Sequence, residues 1–232
     1  MIAVAGGKGG SGKTTTTLGL ARALSRRGGP VVAADADWDL PNLARLASET
    51  TDSGRSAAPA TDSGRSAATT VVEVVRDRGS VDPDRSGPTV LAAPAESGTA
   101  TPGATFGALG DAVPDDAATL LDCPAGASPD AAAPLRAADR SLLVTPLRRS
   151  ALRDAAKTAA IARRLDCPPL GVVAVRASSV PDPVADLLGC PVLGRVPAAV
   201  PAPLSDPAVR SAYDDLARRL AGEYGADRWR IA

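Results

Sequence analysis

The chain alternates between short, unbroken apolar runs and longer stretches in which apolar residues return every three or four positions. The runs are Met1-Ile2-Ala3-Val4-Ala5, Val31-Val32-Ala33-Ala34, Pro88-Thr89-Val90-Leu91-Ala92-Ala93-Pro94, Ala118-Thr119-Leu120-Leu121, Leu142-Leu143-Val144-Thr145-Pro146, Leu170-Gly171-Val172-Val173-Ala174-Val175-Arg176 and Val192-Leu193-Gly194-Arg195-Val196-Pro197. Segments of this length without a polar face predict strands buried on both sides. Between them, Leu18, Leu20, Ala21 and Leu24 predict a helix from Lys13 to Arg27, which Gly28-Gly29-Pro30 ends. Leu152, Ala155, Ala156, Ala159 and Ile161 predict a second helix, capped by Ser150. Val209, Tyr213, Leu216 and Leu220 face inward from a closing helix over residues 207–221. Val71, Val72, Val74 and Val75 read as a short helix packed on the sheet or, being β-branched, as a strand. Residues 95–118, rich in Gly, Pro, Ala and Thr, show little pattern.

Composition narrows the picture. A chain of 232 residues with 44% hydrophobic content suffices for one domain over residues 1–232, and a second complete domain would be cramped. Aromatics are only 2%, so the core must be Ala, Val and Leu. The octapeptide Thr51-Asp52-Ser53-Gly54-Arg55-Ser56-Ala57-Ala58 recurs at residues 61–68 with almost no large apolar residue. Such a stretch cannot bury enough surface to offset its ordering entropy, so residues 48–68 read as a flexible, low-complexity insertion. The absence of His excludes imidazole bases, His metal sites and Ser–His triads. Cys123, Cys167 and Cys190 form no CxxC pair, which argues against disulfide scaffolds and zinc ribbons and for a reducing cytoplasm. Net charge is zero, so no overall field steers the chain to nucleic acid or membrane. No signal peptide or run of transmembrane length is read.

Three motifs carry chemistry, each at a strand end. Gly7-Lys8-Gly9-Gly10-Ser11-Gly12-Lys13-Thr14 fits the P-loop pattern G-x-x-x-x-G-K-[ST] between a predicted strand and a predicted helix. Backbone N–H groups and the helix N-terminus supply positive potential for phosphate, Lys13 reaches the β- and γ-phosphates, and the Thr14 hydroxyl ligates Mg²⁺. Asp35-Ala36-Asp37-Trp38-Asp39-Leu40-Pro41-Asn42 follows the second strand, with carboxylates on the ligand edge of a parallel sheet; Asp39 or Asn42 capping the next helix is the plainer reading. Asp122-Cys123-Pro124-Ala125-Gly126 ends an apolar strand in an Asp placed to hold Mg²⁺ through water. Cys123 reads as a small buried residue or, less simply, as a redox or cluster ligand.

Lys8-Gly9-Gly10-Ser11-Gly12-Lys13-Thr14 resembles the deviant Walker A motif of the MinD/ParA family of ATPases, closest to MinD-like members. The D-x-D segment resembles that family's first switch, and D-[ST]-P-A-G, with Cys123 for the hydroxyl residue, its second. Thr145-Pro146…Ser150-Ala151-Leu152-Arg153-Asp154-Ala155 resembles a stretch that packs at the family's dimer face. The resemblance implies an α/β fold with a doubly wound, mainly parallel sheet and helices on both faces. It also implies slow ATP hydrolysis with Mg²⁺ in an ATP-bound homodimer, acting as a switch that positions division machinery, chromosomes or other cargo through a protein partner not identified by sequence. By resemblance Lys8 reaches across the dimer to the partner's nucleotide, Asp37 positions the attacking water near the metal, and Gly126 lets the backbone swing toward the γ-phosphate. Gly7 to Thr15 and Asp122 bind nucleotide, and Thr14, Asp37 and Asp122 serve the metal. Asn42 is the family's loop Asn and Asp35 a supporting residue. The family's adenine-reading Asn is replaced by Val175. Arg148, Arg149, Arg153, Arg163 and Arg164 are candidate DNA contacts. The ending Glu223 to Ala232 lacks an apolar stripe, which argues against direct membrane anchoring. A metabolic or metallocluster-assembly ATPase on the same fold, or a nucleotide-binding adaptor, are the alternatives.

Overall fold

A computed structural model of the protein describes residues 1–52, 68–77, 87–96, 98–126 and 128–224. Strands β1 (Ile2–Ala5), β2 (Val31–Asp35), β3 (Thr89–Leu91), β4 (Ala118–Asp122), β5 (Arg140–Pro146), β6 (Pro169–Val175) and β7 (Val192–Val196) form one sheet in the order β3-β2-β4-β1-β5-β6-β7. Every pairing among them is parallel. The helices are α1 (Lys13–Ser25), α2 (Leu43–Asp52), α3 (Val71–Arg76), α4 (Pro102–Ala112), α5 (Pro129–Ala137), α6 (Arg149–Arg164), α7 (Pro183–Leu188) and α8 (Pro207–Tyr224).

The apolar runs are continuous because the sheet is covered twice. Ile2 and Val4, Val31 and Ala33, Leu142 and Val144 pack with Leu18 and Leu24 of α1, Leu43 of α2 and Val209, Leu216 and Leu220 of α8. Their neighbours Ala3 and Ala5, Val32 and Ala34 pack on the other face with Val71 and Val74 of α3, Phe106 and Leu109 of α4 and Leu135 of α5. Leu143 and Val172 continue that face under Ala155 and Ala159 of α6 and Val184 and Leu188 of α7. Successive strand residues point to opposite faces, so each run serves both layers.

Local chemistry explains where the elements depart from the pattern. The Val71 run is helical because Thr70 and Glu73 form a reciprocal capping box at its start. Helix α4 occupies the unpatterned stretch, with Thr101 accepting from the Ala104 N–H at 3.4 Å and Pro102 at the first position. Ser150 does not cap α6; Arg148 stands at that position without a side-chain cap, and Ser150 lies inside the first turn. Residues 48–52, expected as the start of a flexible insertion, are the last turns of α2. There the Thr50 hydroxyl donates to the Leu46 carbonyl at 2.7 Å and accepts from the Arg22 guanidinium at 2.6 Å. Of the rest of that expectation, residues 53–67 lie outside the described residues, as does the C-terminal segment 225–232, and Ala68 is exposed coil.

Helices α1 and α8 meet at unusually close range. A Cβ on Gly19 would sit 2.3 Å from Cε2 of Tyr213, a ring only 2% exposed. The Tyr213 hydroxyl shares a hydrogen bond with the Thr16 hydroxyl at 3.3 Å. Replacing Gly19 by Ala gains about 1 kcal/mol of helix propensity but forces apart two packed helices. The expected net loss is about 1–2 kcal/mol in urea unfolding; an unchanged midpoint would contradict the contact.

Candidate functional site

The loop from Gly6 to Gly12 joins the carboxyl end of β1 to the start of α1. Gly12 stands at the helix N-cap with φ 93°, in the left-handed region, and brings no side chain to cap the first turn. No acidic residue lies in that turn. The leading N–H groups of a 13-residue helix therefore keep their partial positive charge for an external acceptor. Ser11 is 4% exposed, and its Oγ is buried without a hydrogen-bond partner among the described residues. A buried orphan hydroxyl beside an uncapped helix start fits an anion with oxygen acceptors.

Below the loop, β2 and β4 end level with each other, so Asp35 and Asp122 are register partners. Both are buried, at 1% and 2% exposure. Asp35 is met by backbone: its carboxylate accepts from the N–H groups of Asp37 at 3.1 Å and of Asn42 and Leu43, each at 2.9 Å. The expected cap of α2 is thus neither Asp39 nor Asn42; Asp35 does that work from the strand end. Asp122 accepts instead from a side chain, the Thr17 hydroxyl at 3.2 Å, and the nearby Thr14 hydroxyl and Lys13 charge favour its ionised form. Burial pushes the Asp122 carboxyl up to about 7, and neighbouring Asp35 adds to the rise. Burial also raises Asp35, against the pull of its three N–H donors.

The structure gathers most of the expected residues. Lys13, 7% exposed, directs Nζ back over the loop to the Lys8 carbonyl at 3.3 Å. Thr14 and Thr15 occupy the first turn of α1. Gly126, at φ 97°, follows β4 on the same edge. Asp37 accepts from the Leu40 N–H at 3.1 Å, closing a turn two residues beyond β2. Trp38 packs on Phe106 of α4 with centroids 5.8 Å apart, tying that turn to the opposite helical layer. Lys8 stands apart: it leans toward α6 and pairs with Asp154 at 3.2 Å. Gly7 permits the approach, since a Cβ there would lie 2.2 Å from the Asp154 Cβ.

Three contributors are not expected from the sequence. Thr17 could have been found from its spacing, since i and i+3 share a helix face and Thr14 is already assigned. Asp154 stands out only within a stretch resembling a dimer face. Arg176 donates to the Gly10 carbonyl at 2.9 Å from 166 positions away. Cys123 proves to be the small buried alternative, its thiol pushed well up by burial and by Asp122.

No cluster of three or more His, Cys, Asp or Glu side chains gathers among the described residues. A single buried carboxylate, Asp122, facing the first turn of α1 suits Mg²⁺, which keeps several waters and shares phosphate oxygens while taking one or two protein ligands. Thr14 and Asp122 are the residues that would hold it.

A glycine loop opening a helix, buried strand-end carboxylates and a parallel sheet define a P-loop nucleotide-binding protein. The profile of the CobQ/CobB/MinD/ParA nucleotide-binding domain matches residues 2–203, and the chain belongs to this family. The septum site-determining protein MinD of Synechocystis is 30% identical over 174 residues, 72% of this chain and 60% of that relative's length. Among solved structures, MinD from Pyrococcus horikoshii OT3, complexed with Mg-ADP, superposes with TM-score 0.74 at 21% identity over 97% of both chains. Cobyrinic acid a,c-diamide synthase from Mycobacterium smegmatis, with bound ADP and magnesium, gives TM-score 0.62 at 21% identity over 97% of this chain and 95% of that one. At these identities the two structures share the fold.

The raised Asp122 carboxyl has a measurable sign. A carboxyl that holds its proton more tightly when folded lends stability that is whole below its unfolded value near 3.8 and is lost as pH climbs to about 7. Without nucleotide, urea unfolding should therefore weaken from pH 5 to pH 8 by a term on the order of 3 kcal/mol. Asp122→Asn should remove that term and be the more stable protein at pH 8. Parallel pH profiles for the two proteins would refute the assignment.

Proposed function

We propose that the protein is a slow ATP hydrolase that dimerises when ATP-bound, and that the dimer acts as a positioning switch for division machinery, chromosomes or other cargo through a protein partner. The reading rests on the different placement of the two loop lysines. Lys13 is buried over its own loop, whereas the Lys8 side chain is 52% exposed and rests against Asp154 near the start of α6. One lysine serves the nucleotide of its own chain; the other is free to serve the nucleotide of a second copy once the pair with Asp154 opens.

Lys13 and the first turn of α1 hold the phosphates, and Thr14 and Asp122 hold the metal. Asp37 orients water at the γ-phosphate, and Asp35 keeps that segment in place by binding its backbone. Bound ATP with Mg²⁺ supplies the transferable phosphoryl group and the divalent charge that the buried carboxylate lacks. Phosphoryl transfer depends on positioning and electrostatics, so a chain without His is not handicapped. The thiols of Cys123, Cys167 and Cys190 are all buried and all raised, Cys167 to about 12, which disfavours the thiolates that a metallocluster carrier needs. Among the described residues no helix is long and apolar enough to cross a membrane. DNA as the gripped surface is one branch of the proposal, carried by Arg148, Arg149, Arg153 and Arg164; the fifth candidate, Arg163, donates instead to the Leu188 and Gly189 carbonyls.

Lys8→Ala should keep its affinity for MgADP, lose the ATP-dependent dimer in light scattering, and turn over ATP about a hundredfold more slowly. A variant that dimerises with ATP and hydrolyses it at the normal rate would sink the two-subunit reading.

A further inference from the structure

At the exit of β6 the backbone adopts a conformation that its residue disfavours. Arg176 has φ 54°, in the left-handed region that suits Gly. Its guanidinium is thereby turned to the glycine loop, where Nη2 donates to the Gly10 carbonyl at 2.9 Å. Val175, the preceding residue, flanks Gly12: its Cγ2 lies 3.5 Å from where a Gly12 Cβ would stand. The end of β6 thus touches the loop on both sides of Ser11, although β5 separates β6 from β1 in the sheet. Apart from its chain neighbours, nothing among the described residues lies within 4 Å of where a Gly10 Cβ would stand. At φ 70° and with open space where a Cβ would stand, Gly10 has no side-chain contact to fix its peptide planes.

A trans peptide carries its C=O and N–H on opposite sides of one plane. Holding the Gly10 oxygen therefore also sets the direction of the Ser11 N–H. We propose that Arg176 is a positioning residue of the phosphate cradle: it braces the Gly10–Ser11 peptide from β6 so that the Ser11 N–H is presented to the phosphates before they arrive. The strained backbone at Arg176 is what aims the side chain. The inference rests on the reading of residues 7–14 as the phosphate cradle.

The test compares wild type, Arg176→Gly, Arg176→Asn, Arg176→Lys and Lys13→Ala by calorimetric titration with MgADP and with inorganic pyrophosphate. Gly and Asn both accept a left-handed backbone, so neither variant should unfold at a lower temperature. Both should bind MgADP and pyrophosphate about tenfold more weakly, the loss expected for one charge-assisted hydrogen bond. Arg176→Lys keeps the charge without the planar fork and should fall between. Unchanged affinity in Arg176→Gly, with binding lost in Lys13→Ala, overturns the brace and leaves the cradle standing. A loss for MgADP but not for pyrophosphate also overturns it, because Arg176 would then touch base or ribose. Full binding by Lys13→Ala would overturn the cradle itself.

Discussion

Two buried carboxylates, side by side at the ends of β2 and β4, are the constraint on which the site depends. Like charges in a low-dielectric setting repel, and each must find donors. Asp35 commits its oxygens to three backbone N–H groups of the segment that follows it. It is satisfied inside its own loop and so shapes that loop. Asp122 relies on Thr14, Thr17 and nearby Lys13, all on the helix that begins at the phosphate cradle. Its partners are the groups a metal–nucleotide complex would also engage, so Asp122 is the member of the pair open to exchange. The sheet register makes the pair, and the residues beyond each strand end give the two carboxylates different jobs.

The cations of the cradle divide in a similar way. Lys13 rests on the Lys8 carbonyl, Lys8 on Asp154 and Arg176 on the Gly10 carbonyl. Two of those acceptors are neutral. Charge-assisted hydrogen bonds to phosphate are roughly twice as strong as bonds between neutral groups. A phosphate entering the loop would therefore compete well for Lys13, and the Lys8 carbonyl it releases would return to water. The Lys8–Asp154 pair is different: it is charged at both ends and partly solvated, and only another strong anion displaces it.

Much of this was legible in the chain. The seven apolar runs became seven strands because a doubly covered sheet needs side chains on both faces and leaves no polar alternation to obscure. The P-loop, Asp122 and the D-x-D segment stood out because strand ends carry the ligand edge. What stayed hidden depended on distance or on competition. Helix α4 lacked apolar periodicity, and only Thr101-Pro102 marked its start. Ser150 has the chemistry of a cap, but the chain enters α6 earlier, where Arg148 takes the position. Asp35 read as secondary to Asp37, because nothing in the spacing says that a strand-end carboxylate will cap a helix eight residues on. Arg176 read only as the last residue of a strand, and its contact with the Gly10 carbonyl depends on β6 lying two places from β1 in the sheet.

The fit of Gly19 against Tyr213 bears on how the molecule can move. Helix α1 carries the cradle at one end and is clamped along its length by the final described helix, with the Thr16–Tyr213 bond only two residues from Thr14. A helix held this closely is not a piston. Any rearrangement that the proposed turnover entails falls instead to the pieces around it: the loop tip at Lys8 to Gly10, the turn closed by Asp37, and the chain leaving Asp122 through Gly126. The α1–α8 pair is then the fixed frame against which any displacement of those three segments would be measured, and the place to attach a spectroscopic reference.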